Sequence, residues 1–159
     1  MAYLNLKHTI LRWHNFVVRK LAGKREKERY LKMKQINLAS LKRIDKRSIP
    51  NDKSELRLFA IMRNESLRLP HFINYYKDKG VDRFFIVDNN STDVSLSILE
   101  SRSDAHLFST SESYKDHWFW MEYLLETFGR EHWCLVVDID ELFYYHHAEQ
   151  LSIKDLCMF

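Results

Sequence analysis

The stretch "LRLFAIMRNESLRLPHFINYYKDKGVDRFFIVD" occupies residues 56–88, and its changes of period decide the fold. Its first seven residues, "LRLFAIM", are apolar and β-prone and read as a strand. "LPHFINYYKDKG" follows with helical spacing, Pro70 in the first turn, where a missing N–H costs nothing, and Gly80 as the stop. "DRFFIVD" (82–88) is a second strand. The alternation continues. "STDVSLSILESR" opens a helix behind candidate caps at Ser91, Thr92 and Asp93, "AHLFST" (105–110) is a third strand, and "SYKDHWFWMEYLLETFG" is a long aromatic helix ending at Gly129. "HWCLVVDI" is the fourth strand. Strand and helix taking turns in this way predict an α/β unit, a mostly parallel sheet covered by helices.

Ahead of this unit the composition changes. Residues 1–50 carry 14 Lys and Arg against 3 Asp and Glu, whereas the remainder carries 11 against 19. Apolar positions from Leu4 to about Ala39 fall at helical spacing among the basic residues, with Gly23 as a break, which predicts two amphipathic helices. "KRIDKRSIPNDKSE" then reads as a linker, because Pro50, Asn51 and Asp52 punctuate a charged stretch. The expected organisation is a basic helical N-terminal arm with linker over 1–50 and one globular domain over 51–159, since 159 residues at 45% hydrophobic content suffice for one core. Cys134 and Cys157 give no disulfide framework, and no apolar run is long enough to span a bilayer. Lys7, His8, Arg12 and His14 interrupt the N-terminus where a signal peptide needs a clean apolar core, so the expected location is cytoplasmic. The N-x-S/T triplets at Asn64 and Asn90 are then coincidental. The arm has two readings, a peripheral contact with anionic membrane at the inner face or a solvated surface that offsets the acidic body. Nothing in it matches a nucleic-acid-binding motif.

Ligands of open α/β sheets bind beyond the carboxyl ends of the strands. Asn64 and Glu65 follow the first strand, Asp88 to Asp93 the second, Ser109 to Ser113 the third, and Asp138 with Asp140 end the fourth. Strand alternation sends Asp138 and Asp140 to one side, about 7 Å apart along the chain, with Ile139 opposite. Carboxylates gathered at a strand mouth repel one another unless a cation sits between them, and D-x-D there suits a hard divalent ion that also takes phosphate oxygens. The phosphate-cradling glycine motifs are absent from a chain with only 3 Gly. The plainer alternatives are solvated acids at Asp138 and Asp140 and an ordinary capping turn in "NNSTD".

Taken in order, "AIMRNESLRLPHFINYYKDKGVDRFFIVDNNSTD" and "HWCLVVDIDELFYY" resemble family 2 glycosyltransferases of the GT-A, Rossmann-like fold, in the branch marked by R-N-E, V-D-N-x-S-T-D and D-x-D-E. The resemblance runs from about Leu56 to Phe159 and implies transfer of a sugar from a nucleoside-diphosphate donor to an acceptor such as a polysaccharide or glycolipid. It implies that Arg63, Asn64, Glu65, Asp88, Asn90 and Asp93 line the nucleotide-sugar pocket and that Asp138 and Asp140 hold Mn²⁺ or Mg²⁺ against the diphosphate. Glu141, which alternation turns away from the pair, is expected in a supporting role.

Two departures from the family stand out. Asn90 occupies a loop position where Gly is common, and Asn tolerates positive φ better than most residues. "LSIKDLCMF" begins a helix capped at Ser152 and stops on apolar residues, so the chain is expected to be the donor half of a longer enzyme, with the acceptor elements and the general base beyond it. The competing readings are a catalytically inactive remnant or nucleotide-binding module, and a D-x-D phosphatase, for which Leu142 stands where Thr or Val is expected. His117, Trp118, Phe119, Trp120 and Tyr123 read mainly as core and sheet cover, His146 and His147 as a solvent-facing pair, and Tyr144 and Tyr145 as packing.

Overall fold

The computed structural model describes residues 23–157. Gly23 precedes α1 (Lys24–Ser40), which is followed by β1 (Lys42–Arg43), β2 (Leu56–Met62), α2 (Leu69–Asp78), β3 (Arg83–Asp88), α3 (Ser95–Glu100) and β4 (Ala105–Ser109). A 3-10 turn over Tyr114–Asp116 leads into α4 (His117–Phe128), after which come β5 (Trp133–Val136) and α5 (Ile153–Cys157). The first expected helix of the arm, from Leu4, and the apolar Met158 and Phe159 lie outside the described residues. No helix among the described residues is long and apolar enough to cross a membrane.

The local signals act where they stand in the sequence. Pro70 lies in the first turn of α2, and Gly80 ends it with φ +89°, a backbone region that penalises any side chain. The five strands lie in the order β1-β4-β3-β2-β5; β2 to β5 run parallel, and β1 is antiparallel on β4. Alternation along the central strands feeds two cores. Leu58, Ala60 and Met62 of β2 with Phe84 and Ile86 of β3 pack under Leu69, Phe72, Ile73 and Tyr76 of α2 and Leu99 of α3. Phe59, Phe85 and Val87 face the other way, against Phe119, Trp120, Leu124 and Leu125 of α4, with Tyr30 and Met33 of α1 packed outside. Phe59 and Phe85 stack at 4.9 Å across the strands. A parallel sheet buried on both faces is the expected α/β, Rossmann-like architecture.

The segment read as a polar linker is bound to the sheet. Lys42 and Arg43 form β1, the Ile44 amide donates to the Leu107 carbonyl at 2.9 Å, and Asp45 Oδ2 accepts the Leu107 amide at 2.9 Å. Its charges are spent on partners far away in sequence rather than on water. Asp45 Oδ1 lies 3.2 Å from Nδ1 of His106, which is fully buried in β4, and Nη1 of Arg83 lies 3.3 Å from His106 Nε2. An arginine can only donate, so Nε2 accepts from Arg83, while Nδ1 stands 3.2 Å from both the Asp45 carboxylate and Nη2 of Arg43. Arg83 and Arg57 then fork onto the two oxygens of Glu55 at 2.5–3.0 Å, closing a chain of buried charges across the amino ends of β2 and β3. Burial raises the Glu55 carboxyl, and the bonds from Arg83 and Arg57 outweigh it, leaving the group below its ordinary value.

Burial holds His106 below its ordinary value; Asp45 opposes the shift, and Arg43 and Arg83 reinforce it. A folded-state value depressed in this way gives stability that is complete above the ordinary value of 6.5 and is lost as the pH falls through the folded value. Urea titrations between about pH 8 and pH 5 are expected to show stability declining over the lower part of that range. His106→Asn is expected to lose stability at the upper end and to flatten the decline.

Candidate functional site

The order of the strands creates the site. From β2 the chain steps outward to β3 and β4, then returns to the opposite edge of β2 for β5. Such a reversal is where the connections of an open α/β sheet diverge, and the carboxyl ends of β2 and β5 lie on its two sides. Arg63 and Asn64 follow β2 directly, and Asp138 and Asp140 follow β5 at an interval of one residue from the strand. All four are exposed.

The loops after β2 and β3 are tied into one rim by side chains bonded to backbone. Asn64, at φ +57°, donates its amide to Ser91 Oγ at 3.0 Å and accepts the Thr92 amide on Oδ1 at 2.7 Å. Ser95 Oγ accepts the Glu65 amide at 2.8 Å, and Asp93 Oδ2 accepts the Ser66 amide at 3.1 Å. Asp93 Oδ1 takes both the amide and the hydroxyl of Ser95, at 2.9 and 2.5 Å. The Ser95 hydroxyl is the main reason the Asp93 carboxyl is held well below the usual range. None of the three candidate caps holds the cap position of α3, which falls to Val94; Asp93, one residue earlier, bonds the first residue of the helix instead. Glu65 pairs with Arg68 at 3.0 Å, whereas Arg63 makes no ion pair among the described residues.

Asp88 is buried at the end of β3, with the Ser91 amide 3.3 and 3.4 Å from its two oxygens. Asn90 adopts φ +60°, as its place in a tight turn anticipated. Its neighbour Asn89, which the sequence reading took only as part of the "NNSTD" turn, is 2% exposed and donates to the carbonyls of Thr110 and Glu112 at 3.2 and 2.9 Å. Asn89 thus ties the β3 loop to the β4 loop.

β5 ends at Val136, sooner than the apolar run "HWCLVVDI" suggests. The Val137 amide still reaches the Phe59 carbonyl at 3.2 Å, but the chain then turns, with the Glu141 amide on the Asp138 carbonyl at 3.0 Å. Asp138 and Asp140 are exposed on either side of Ile139, which is drawn into the core at 4% exposure, and a turn rather than a continuing strand carries all three. Neither carboxylate makes a hydrogen bond or ion pair among the described residues. Tyr114, a second residue missed from sequence, lies near them: burial first, then the charges of Asp138 and Asp140, raise its phenol above the ordinary value. Its ring stacks on His117 at 4.6 Å. The sequence reading merged Tyr114 into the long helix, whereas Ser113 starts a separate 3-10 turn.

Among the described residues no group of three or more His, Cys, Asp or Glu gathers as a metal cage. His146 and His147 lie against each other at 3.8 Å between rings, both exposed. Asp138 and Asp140 are nevertheless a hard-oxygen donor pair of the kind that leaves most positions of a divalent ion to water and phosphate.

No family model matches the chain. Over 109 residues its sequence is 32% identical to a glycosyltransferase family 92 protein of Ricinus communis, a match that covers 64% of this chain and 19% of that protein. The likeness is to a glycosyltransferase. It bears out that class at the general level, and the relative belongs to family 92, where the motif resemblance had pointed to family 2. The chain spans about a fifth of the length of the curated relative it matches.

Asn89→Ala removes the donor for two loop carbonyls and is expected to cost about 1–3 kcal/mol in urea unfolding. Asn90→Gly, at a left-handed position facing solvent, is expected to leave stability unchanged or slightly raised.

Proposed function

We propose that this chain is the donor-binding part of a glycosyltransferase of the GT-A type, taking a nucleoside-diphosphate sugar at the carboxyl ends of β2, β3 and β5. The observation that supports the reading is the strand order: the chain reverses at β2, so that Arg63 and Asn64 follow β2, Asp88 ends its neighbour β3, and the D-x-D turn follows its other neighbour β5. The 32% identity to a glycosyltransferase family 92 protein supports the class independently.

In this reading Asp88 and the Asn90 turn take the ribose or base, and the hydrogen-bonded rim of Asn64, Glu65 and Asp93 keeps that end of the site in shape. Arg63 supplies a cation to the diphosphate without first breaking an ion pair among the described residues. Asp138 and Asp140 hold Mn²⁺ or Mg²⁺. The ion, when bound, offsets the negative charge that develops on the leaving diphosphate as the anomeric C–O bond breaks. Tyr114 and the stacked His117 present an aromatic surface beside the carboxylates, suited to the apolar face of a sugar. The acceptor hydroxyl gives up its proton to a base that belongs to the acceptor side of the enzyme.

Calorimetric titration of the folded chain with UDP, GDP and their sugars, with and without Mn²⁺, tests the proposal. Saturable binding is expected with one nucleotide. It should strengthen with Mn²⁺, and in Asp138→Asn it should lose the Mn²⁺-dependent part, by about tenfold or more. Absence of binding to every nucleotide by a chain that melts cooperatively would overturn it.

A further inference from the structure

The turn that carries Asp138 and Asp140 lacks the support of a strand. Between β5 and α5 the chain has no regular secondary structure, so its backbone polar groups must find other partners. Two adjacent tyrosines of α2 supply them. Tyr76, fully buried, donates its hydroxyl to the Glu141 carbonyl and accepts the Phe143 amide, both at 3.0 Å. Tyr75 donates to the Phe143 carbonyl at 2.8 Å. Two side chains thus bind three backbone groups within three residues.

The tyrosines are themselves held in place. Tyr76 packs edge-on against Phe72 at 4.8 Å and against Tyr75 at 5.1 Å, inside the core beneath α2. Burial keeps the Tyr76 phenol protonated, its pKa pushed up to about 12, so the hydroxyl remains a donor. From this anchor the path to the carboxylates is short. The Glu141 carbonyl that Tyr76 holds belongs to the residue next to Asp140, and the Glu141 amide closes the turn on Asp138. Because the two carboxylates make no hydrogen bond or ion pair among the described residues, the backbone alone sets their direction.

We propose that Tyr76, assisted by Tyr75, is a positioning residue that sets the separation and aim of Asp138 and Asp140 for their divalent ion. This rests on reading the pair as the ion-holding part of a nucleotide site. Partners one bond removed from a metal ligand act this way generally: they fix the orientation of a ligand that would otherwise sample several. A hydroxyl at position 76 is then needed for ion affinity, while the aromatic ring alone suffices for the core.

The test uses Tyr76→Phe and Tyr75→Phe in the full chain, with two readouts. In hydrogen exchange, the amides of residues 138–143 are expected to exchange several-fold faster in Tyr76→Phe, with those of β2 and β3 unchanged. In calorimetry with whichever of UDP and GDP the natural chain binds, the gain in affinity on adding Mn²⁺ is expected to fall by about tenfold or more, while affinity without Mn²⁺ is kept. Tyr75→Phe, which leaves the Tyr76 hydroxyl in place, is expected to do the same more weakly, and it carries the test if Tyr76→Phe does not fold. Faster exchange with an unchanged Mn²⁺ effect would make the tyrosines mere packing and overturn the proposal, as would unchanged exchange. If the natural chain shows no Mn²⁺-dependent binding at all, the nucleotide-site reading falls and this proposal falls with it. That outcome is visible before any variant is compared.

Discussion

Strand β2 is paired along both edges, with β3 and with β5, and covered on both faces by helices. A strand so enclosed has no water for its amides and carbonyls, so every one must be met by a neighbour in register. Leu58 opposite Phe84 and Leu135, and Phe59 opposite Phe85 and Val136, meet that demand. The price is topological: one chain cannot supply both neighbours of a parallel strand without reversing its direction of travel across the sheet. That reversal sets Arg63 and Asp138, 75 positions apart in sequence, just after the carboxyl ends of two paired strands.

The two ends of the sheet handle charge in opposite ways. At the amino ends Glu55, Arg57, Arg83, His106 and Asp45 are withdrawn from water, and each finds a partner. Removing one member of such a buried set costs about 3–5 kcal/mol, because the remaining charge is left alone in a poor solvent. At the carboxyl ends Arg63, Asp138 and Asp140 remain in water without an ion pair among the described residues. A carboxylate with no partner keeps its full hydration, and only a multivalent cation repays the loss of that hydration well. The end closed by ion pairs fixes the sheet and the chain that leads into it, and leaves the other end free to offer charge to a ligand.

Legibility from sequence followed the range of each signal. β2, α2 and β3 were readable almost to the residue because their marks are local: apolar runs, Pro70 in the first turn and Gly80 at the stop. Ser152 was likewise a local mark, and its hydroxyl accepts the Asp155 amide at 3.1 Å while Asp155 returns bonds to Ser152. β1 was hidden, since two exposed basic residues carry no strand pattern and Asp45 meets its partners 61 and 62 residues later. β5 looked longer than it is because burying Ile139 in a turn leaves the same alternating record as a strand. Of the site, the carboxylate pair and the Asn64 and Asp88 rims were legible through their place after strands. Tyr114, Asn89 and the hydroxyls of Tyr75 and Tyr76 were not, because an aromatic or amide that bonds a distant backbone is written no differently from one that merely packs.

The rim therefore solves one mechanical problem twice, by different means. The loops after β2 and β3 brace each other with short polar side chains, Asn64, Ser91, Asp93 and Ser95, each bonding the other's backbone across 27 to 30 residues. The turn after β5 has no such partner loop, and its support comes from behind, out of the core. Ile139 is buried beneath it, and α2 reaches up with two phenols whose rings belong to the hydrophobic layer. α2 is fixed in its turn at its far end, where the Ile153 amide donates to the Lys79 carbonyl at 2.8 Å and Lys154 bonds Asp82 at the same distance. A side chain at Gly80 would press on Lys154 at 3.0 Å and disturb that junction. The aim of two exposed carboxylates thus depends on how a helix seats against the sheet, and a change in that seating alters the site without touching any residue that lines it.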